Sequence, residues 1–287
     1  AFGSEIKSIL SLPDIKRIVN DKAVVNYLSF QYNPLKETFF KDIFKLLPGC
    51  FLDIDLVNGE YREEHYEEFM LEPENVIDEK THVDKLLAVL DDSVKHHMVS
   101  DVPVGSFLSG GIDSGIIAAL AQKNMGDRKL STFTIGFEEV TEAREAEITA
   151  QHIGTDHLAT TISAKEYFEE LPKIVWHFDE PVADPAAAAL YFVAREARKK
   201  VKVVMSGEGA DELFGGYNIY LESYARRRLA VVPSFIREKI LRPFAQSKSS
   251  FKGKNFLIRF FSHLEDWYIG NANIFTPHDV EALWKGP

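Results

Sequence analysis

Between about residue 102 and residue 205 the chain alternates short apolar runs with amphipathic stretches, and this alternation limits the folds open to it more than any other feature. The apolar runs fall at 102–108, 129–136, 157–162 and 201–205, and each is short enough to be a strand buried on both faces. The stretches between them, near 114–124, 142–153, 164–177 and 185–199, read as helices, the last opening with Asp184-Pro185 as cap and first-turn proline. Apolar strands that alternate with helices predict an α/β fold, a parallel sheet with helices on both faces. Ligands of such folds bind beyond the carboxyl ends of the strands.

Two of these predicted strand ends carry small, glycine-rich turns. The first run leads into Ser109-Gly-Gly-Ile-Asp-Ser114 and then a helix-forming stretch. Gly110 and Gly111 let backbone N–H groups meet an anion, Ser109 and Ser114 add hydroxyls, and a helix N-terminus adds partial positive charge. Asp113 would repel bare phosphate, so its place in the turn argues for an intervening Mg²⁺. The turn reads as a Mg–nucleotide site, although neither GxxxxGK[ST] nor a GxGxxG after a strand occurs. The run ending at Met205 leads into Ser206-Gly-Glu-Gly-Ala-Asp-Glu212, where Glu208, Asp211 and Glu212 crowd one turn. A helix starting near Gly209 would put Asp211 in its first turn and Glu208 in the turn itself.

The rest of the chain is organised around this alternation. A helix is expected from about 78 to 99, with Val83, Leu86, Leu87, Leu90, Val94 and Met98 along one face. Before it, Phe51 to Tyr61 alternates apolar and polar residues and reaches an Asn-Gly turn, so residues 1–70 read as part of a β-rich domain, with Glu72-Pro-Glu-Asn as a linker. From about 217 onward the pattern is mostly helical.

A net charge of −11 argues against unaided nucleic-acid binding. Residues 223–262 nonetheless carry ten Lys or Arg against Glu238, read as solvated helices near an anionic site or a subunit contact rather than a tRNA surface. The single cysteine, Cys50, fits a reducing cytoplasm and, with no histidine close in sequence, reads as a small buried side chain. No apolar run reaches about eighteen residues, so no membrane span is expected. His96, His97, His152 and His157 lack zinc-ligand spacing.

The Ser109–Ser114 turn resembles the pyrophosphate-binding loop of the ATP pyrophosphatases (PP-loop enzymes, with the adenine nucleotide alpha hydrolase-like fold). SDVPVGSFLSGGIDS, STFTIGF, DEPVADP and VVMSGEGADELFGGY, in that order, resemble the synthetase domain of glutamine-hydrolysing asparagine synthetases. FGSEIKSIL and LPGCFLDIDLVNGE are similar to the end of that family's amidotransferase domain. The resemblance implies residues 1–70 as the C-terminal part of an N-terminal-nucleophile glutaminase domain and 71–287 as a synthetase domain incomplete at its C-terminus. It implies ATP and Mg²⁺ as cofactors and aspartate and ammonia as partners, with no nucleic acid and no membrane. A cytoplasmic location and a homodimer go with it.

The implied reaction adenylates the side-chain carboxylate of aspartate, releasing pyrophosphate, and ammonia then displaces AMP to give asparagine. By the same resemblance Ser109, Gly110, Gly111 and Ser114 cradle phosphates, Asp113 and Asp211 hold Mg²⁺, and Leu108, Ile135, Gly136, Ser206 and Gly207 line the adenosine. Glu208 is the implied base toward ammonia. The family's N-terminal nucleophilic cysteine, a downstream RVPFLD-like segment and a pyrophosphate-binding lysine have no match between Ala1 and Pro287, so the resemblance implies an internal piece, inactive by itself. A β-lactam synthetase or another adenylating PP-loop enzyme, and a non-catalytic nucleotide-binding module, are the alternative readings.

Overall fold

The computed structural model describes residues 1–66, 78–138, 142–247, 251–262, 274–275 and 277–286. Contacts divide the chain into one unit of residues 1–208 with 277–287, and a second of residues 209–276.

The first unit is built on a four-stranded parallel sheet. Its strands are β3 (Val104–Phe107), β4 (Ser131–Phe137), β5 (Asp156–Ile162) and β6 (Val203–Met205), in the order β5-β4-β3-β6. The expected strands and the parallel α/β architecture are therefore present, each strand within two residues of the run that predicted it. Helices α3 (Glu79–His97), α4 (Ile112–Met125) and α5 (Glu142–Ile153) cover one face. Val94 of α3, Ala118, Leu120 and Ala121 of α4, and Ala146 and Ala150 of α5 form one core with Leu108, Leu130 and Met205. Small side chains on α4 and α5 let these helices lie close to the strands.

Helices α6 (Ala164–Phe178) and α7 (Pro185–Ala197) cover the other face. There Phe133, Val193, Ala197 and Val201 cluster, and beside them Ile162, Ile174, Ala188 and Phe192. Phe192 is fully buried, so cutting it to alanine would cost about 3–5 kcal/mol. As the sequence predicts, Asp184 caps α7 by accepting the Ala186 N–H at 2.9 Å, with Pro185 as the first helical residue.

Residues 1–66 add α1 (Ile6–Leu10), α2 (Asp21–Phe30) and an antiparallel hairpin of β1 (Cys50–Ile54) and β2 (Tyr61–His65), closed through Asn58-Gly59. The hairpin pairs Cys50 with His65, so the histidine absent from the local sequence arrives across the ladder, with Sγ 3.4 Å from Nδ1. Cys50 itself is buried, as expected. One expectation is only half met: Leu90, Val94 and Met98 of α3 pack on the core, whereas Val83, Leu86 and Leu87 are exposed. The Glu72-Pro-Glu-Asn linker lies outside the described residues. Among the described residues no helix is long and apolar enough to cross a membrane.

The second unit is helical. It comprises α8 (Ala210–Phe214), α9 (Glu222–Ala230), α10 (Ser234–Ile236), a π-helical turn Arg237–Leu241, α11 (Arg242–Gln246) and α12 (Lys254–Phe260). Two of its basic residues are tied internally: Arg259 pairs with Glu222 at 3.0 Å and Arg242 with Glu238 at 2.8 Å. The second pair is exposed, whereas in the first the Glu222 side chain is only 9% exposed. Helix α13 (Pro277–Leu283) returns to the first unit, where Val280 is buried.

Candidate active site

The strand order fixes where the functional turns meet. From β3 the chain moves outward through β4 to β5, then crosses back to place β6 on the other side of β3. Neighbouring strands whose connections leave in opposite directions open a crevice at their carboxyl ends. Here that crevice lies between β3 and β6, and the two turns singled out in the sequence flank it: residues 109–114 after β3 and 206–208 after β6. They touch. A Cβ added to Gly207 would lie 2.8 Å from the Ser114 nitrogen and 2.9 Å from the Asp113 carbonyl carbon, so only glycine allows the second turn to lie against the first.

The first turn leads into α4 with its N-terminus uncapped. Gly111 is the N-cap residue, and no side chain closes the first turn of the helix. The N–H groups of Ile112, Asp113 and Ser114 have no acceptor within the helix, because no residue lies four positions before them in it. A helix of 14 residues, ending in an uncapped N-terminus beside exposed Ser109, Gly110 and Gly111, suits a phosphate chain. The same turn is held in shape by its own hydroxyls. The buried Ser114 Oγ accepts the Ser109 N–H at 3.0 Å and lies 2.8 Å from Ser109 Oγ, which accepts the Gly111 N–H at 3.1 Å. Ser114 therefore acts here as an internal pin, while Ser109 sits at the exposed rim.

Leu108 and Thr134 support this turn from beneath. The Leu108 N–H donates to the Phe133 carbonyl at 2.9 Å, and the Leu108 carbonyl accepts the buried Thr134 hydroxyl. The Leu108 side chain belongs to the core, 2% exposed, so what it offers the crevice is its main chain. Ile135 and Gly136 follow Thr134 on β4, beyond the last β3–β4 pair, Phe107 with Phe133. Ile135 also packs against the α6–α7 side of the sheet.

In the second turn Ser206 Oγ accepts the Glu208 N–H at 3.1 Å, which shapes the bend that carries the exposed Glu208. Among the described residues neither Asp113 nor Glu208 takes part in a salt bridge, leaving both carboxylates for a cation or a proton. An oxygen donor with no competing lysine or arginine, beside a phosphate cradle, fits Mg²⁺. Asp211 belongs to the second unit. It lies in the first turn of α8, after Gly209 at φ 89°, a left-handed conformation suited to glycine. Its main-chain carbonyl accepts the Gly216 N–H at 2.9 Å.

Sequence reasoning missed Thr134, since a fully buried threonine in a strand gives no sign that its hydroxyl holds a neighbouring turn. It also gave no role to Asp179 and Glu180, although both stand in the DEPVADP segment. Two adjacent acids just after a helix were the available signal.

Residues 85–277 match the family model described as asparagine synthase, and residues 1–67 match a glutamine amidotransferase domain. The chain is 43% identical to asparagine synthetase [glutamine-hydrolyzing] 1 of Bacillus subtilis, over 99% of this chain and 44% of the relative. It is 42% identical to a putative asparagine synthetase [glutamine-hydrolyzing] of Mycobacterium tuberculosis, over 100% of this chain and 45% of the relative. A putative counterpart in Methanocaldococcus jannaschii is 36% identical over 82% of this chain and 46% of the relative. The chain thus spans about half the length of the curated relatives it matches. The matched span of the first model contains both turns of the crevice, with the sheet order that brings them together, and on this ground the chain belongs to the asparagine synthase family.

Proposed function

We propose that the crevice between β3 and β6 is the synthetase site of an ATP-dependent, asparagine-forming ligase. In this reading residues 1–70 are the end of a glutaminase domain and residues 71–287 belong to the synthetase domain. The observation that carries it is the contact of Gly207 with Asp113 and Ser114, which sets the glycine-rich turn bearing Glu208 against an uncapped helix N-terminus bearing Asp113.

ATP supplies the adenylyl group and the pyrophosphate leaving group, and Mg²⁺ neutralises charge on the phosphates. The chain's own residues do the rest. Ser109, Gly110 and Gly111, with the first-turn N–H groups of α4, bind the phosphates, and Ser114 keeps that turn in shape. Asp113 provides carboxylate oxygens for the metal, a role that the family resemblance also gives to Asp211. Gly207 permits close approach, while the main chain of Leu108 with Ile135, Gly136 and Ser206 lines the nucleoside. Glu208 takes a proton from ammonia as nitrogen attacks the activated side-chain carboxyl of aspartate, work suited to an exposed carboxylate on the crevice rim. The glutamine amidotransferase match over residues 1–67 and the relatives' names support glutamine as the nitrogen source. The single cysteine suits a cytoplasmic location, and a homodimer is the assembly to look for.

Exchange of labelled pyrophosphate into ATP tests this in the full-length protein. The reading expects exchange that needs both aspartate and Mg²⁺ and that falls at least about a hundredfold in Asp113→Asn, the scale for losing a preorganised charge at a phosphoryl site. Exchange without aspartate, or none with every component present, would overturn it.

A further inference from the structure

The acid pair between α6 and α7 reaches away from the crevice and into residues 1–66. Asp179 follows α6 in the left-handed conformation, φ 65°, which glycine adopts freely and, among other residues, asparagine and aspartate most readily. Its carboxylate explains the choice. Oδ2 accepts the Ile6 N–H at 2.7 Å and Oδ1 the Lys7 N–H at 3.3 Å, the first two amides of α1. Helix α1 has no capping side chain of its own, so Asp179 caps it from 172 residues away in the chain. The Lys7 ammonium completes the contact, 2.8 Å from Oδ1 and 4.7 Å from the Trp176 ring centre.

Glu180 repeats the arrangement on a second segment. Its Oε1 accepts the Phe39 N–H at 2.6 Å, and its Oε2 pairs with Lys45 at 3.1 Å. Lys45 also donates to the Asn33 carbonyl at 2.7 Å. Three residues on, the Ala183 N–H donates to the Gln31 carbonyl at 2.9 Å. Both carboxylates are largely shielded, with side chains 10% and 12% exposed, so these charge-assisted bonds are screened little by solvent. One short segment thus holds three points of the 1–66 region and, through Asp184, caps α7. Helix α7 packs on the sheet and feeds β6, so it runs antiparallel to the strands and begins toward their carboxyl ends, the edge that carries the crevice.

We propose that Asp179 and Glu180 are positioning residues, a clamp that fixes the amidotransferase-like region against the sheet so that nitrogen released from glutamine serves the crevice. The coupling half of this inference rests on the proposed function, whereas the clamp itself does not. Neither acid touches the nucleotide turns, so the clamp matters for glutamine as nitrogen source and not for free ammonia.

The test uses Asp179→Gly, which removes the carboxylate and suits the left-handed backbone, combined with Glu180→Gln. In hydrogen exchange, segments containing Ile6 and Phe39 should open at least about tenfold faster, the scale for losing a charge-assisted hydrogen bond, while α4 and β4 stay within about twofold. Unchanged exchange at Ile6 and Phe39, or acceleration spread evenly through the sheet, would overturn the clamp. In the full-length protein, glutamine-supported asparagine formation should fall at least about tenfold with ammonia-supported formation within about twofold, and Asp179→Asn, which keeps one acceptor oxygen, should recover part of the loss. Equal falls with both nitrogen sources, or none with either, would refute the coupling. If the wild-type protein makes asparagine from neither source, the proposed function fails and the exchange measurement alone decides the clamp.

Discussion

Gly207→Ala is the sharpest perturbation of the crevice, because its added atom meets main chain. The new Cβ would lie 2.8 Å from the Ser114 nitrogen, 2.9 Å from the Asp113 carbonyl carbon and 3.1 Å from Asp113 Cβ. None of these is the end of a flexible side chain. A separation of about 0.6 Å between the turns brings the closest contact to ordinary van der Waals distance. Such a shift of the first turn of α4 would stretch a phosphate hydrogen bond from about 2.9 Å to the limit of bonding. Losing one charge-assisted bond costs about 1.5–3 kcal/mol, a ten- to hundredfold weaker ATP affinity. Overpacking itself costs stability, about 1–3 kcal/mol.

Gly126→Ala is the control. Gly126 closes the far end of α4 at φ 63° with nothing within 4 Å of its added Cβ. Forcing alanine into that conformation costs about 1–3 kcal/mol without moving the turn. Titration calorimetry with Mg–ATP, beside thermal denaturation, separates the two: both variants should melt lower, and only Gly207→Ala should lose affinity. Wild-type ATP affinity in Gly207→Ala would refute the idea that contact between the turns builds the site.

Other outcomes follow from the same geometry. Glu208→Gln in the full-length protein should lower asparagine formation at least about a hundredfold, the low end for removing a general base, with ATP affinity measured by calorimetry little changed. Asp113→Asn should make ATP affinity nearly independent of Mg²⁺, and a titration in which wild type and variant respond equally to the metal would count against Asp113 as a ligand. Burial lowers the pKa of His157, outweighing the pull of Glu147 and Asp156, and Thr132 Oγ1 lies 3.0 Å from its Nδ1. Stability from neutral His157 is therefore complete above its ordinary value of 6.5 and declines as pH falls toward the lower folded value. The melting temperature of the wild type should drop more than that of His157→Gln between about pH 7.5 and pH 5.5, and parallel curves would contradict this.

Most of the nucleotide half of this fold was legible in the sequence. The apolar runs of β3 to β6 stand out from the helix-forming stretches between them, and each predicted functional turn sits at a strand end. Strand order was another matter. Nothing in the local pattern says that β6 returns beside β3, and it is this return that brings Gly207 against Asp113. The first 66 residues were read less completely. Helix α2 is only 10 residues long, and α1 depends on a cap supplied by Asp179, a contact far apart in sequence that no local pattern encodes. The α3 face was traced correctly as a stripe, but a stripe does not tell how far its cover extends, and only Leu90, Val94 and Met98 lie on the core.

In the proposed reaction the side-chain carboxylate of aspartate attacks the α-phosphorus of ATP held between the β3 and β6 turns, displacing pyrophosphate, and ammonia then attacks the acyl carbon of the adenylate and displaces AMP. Aspartate labelled with ¹⁸O in that carboxylate, given to the full-length protein with Mg–ATP and ammonia, tests it directly by mass spectrometry of the nucleotide product. AMP should carry one ¹⁸O atom for each asparagine formed. Unlabelled AMP, or ADP with labelled inorganic phosphate, would contradict it.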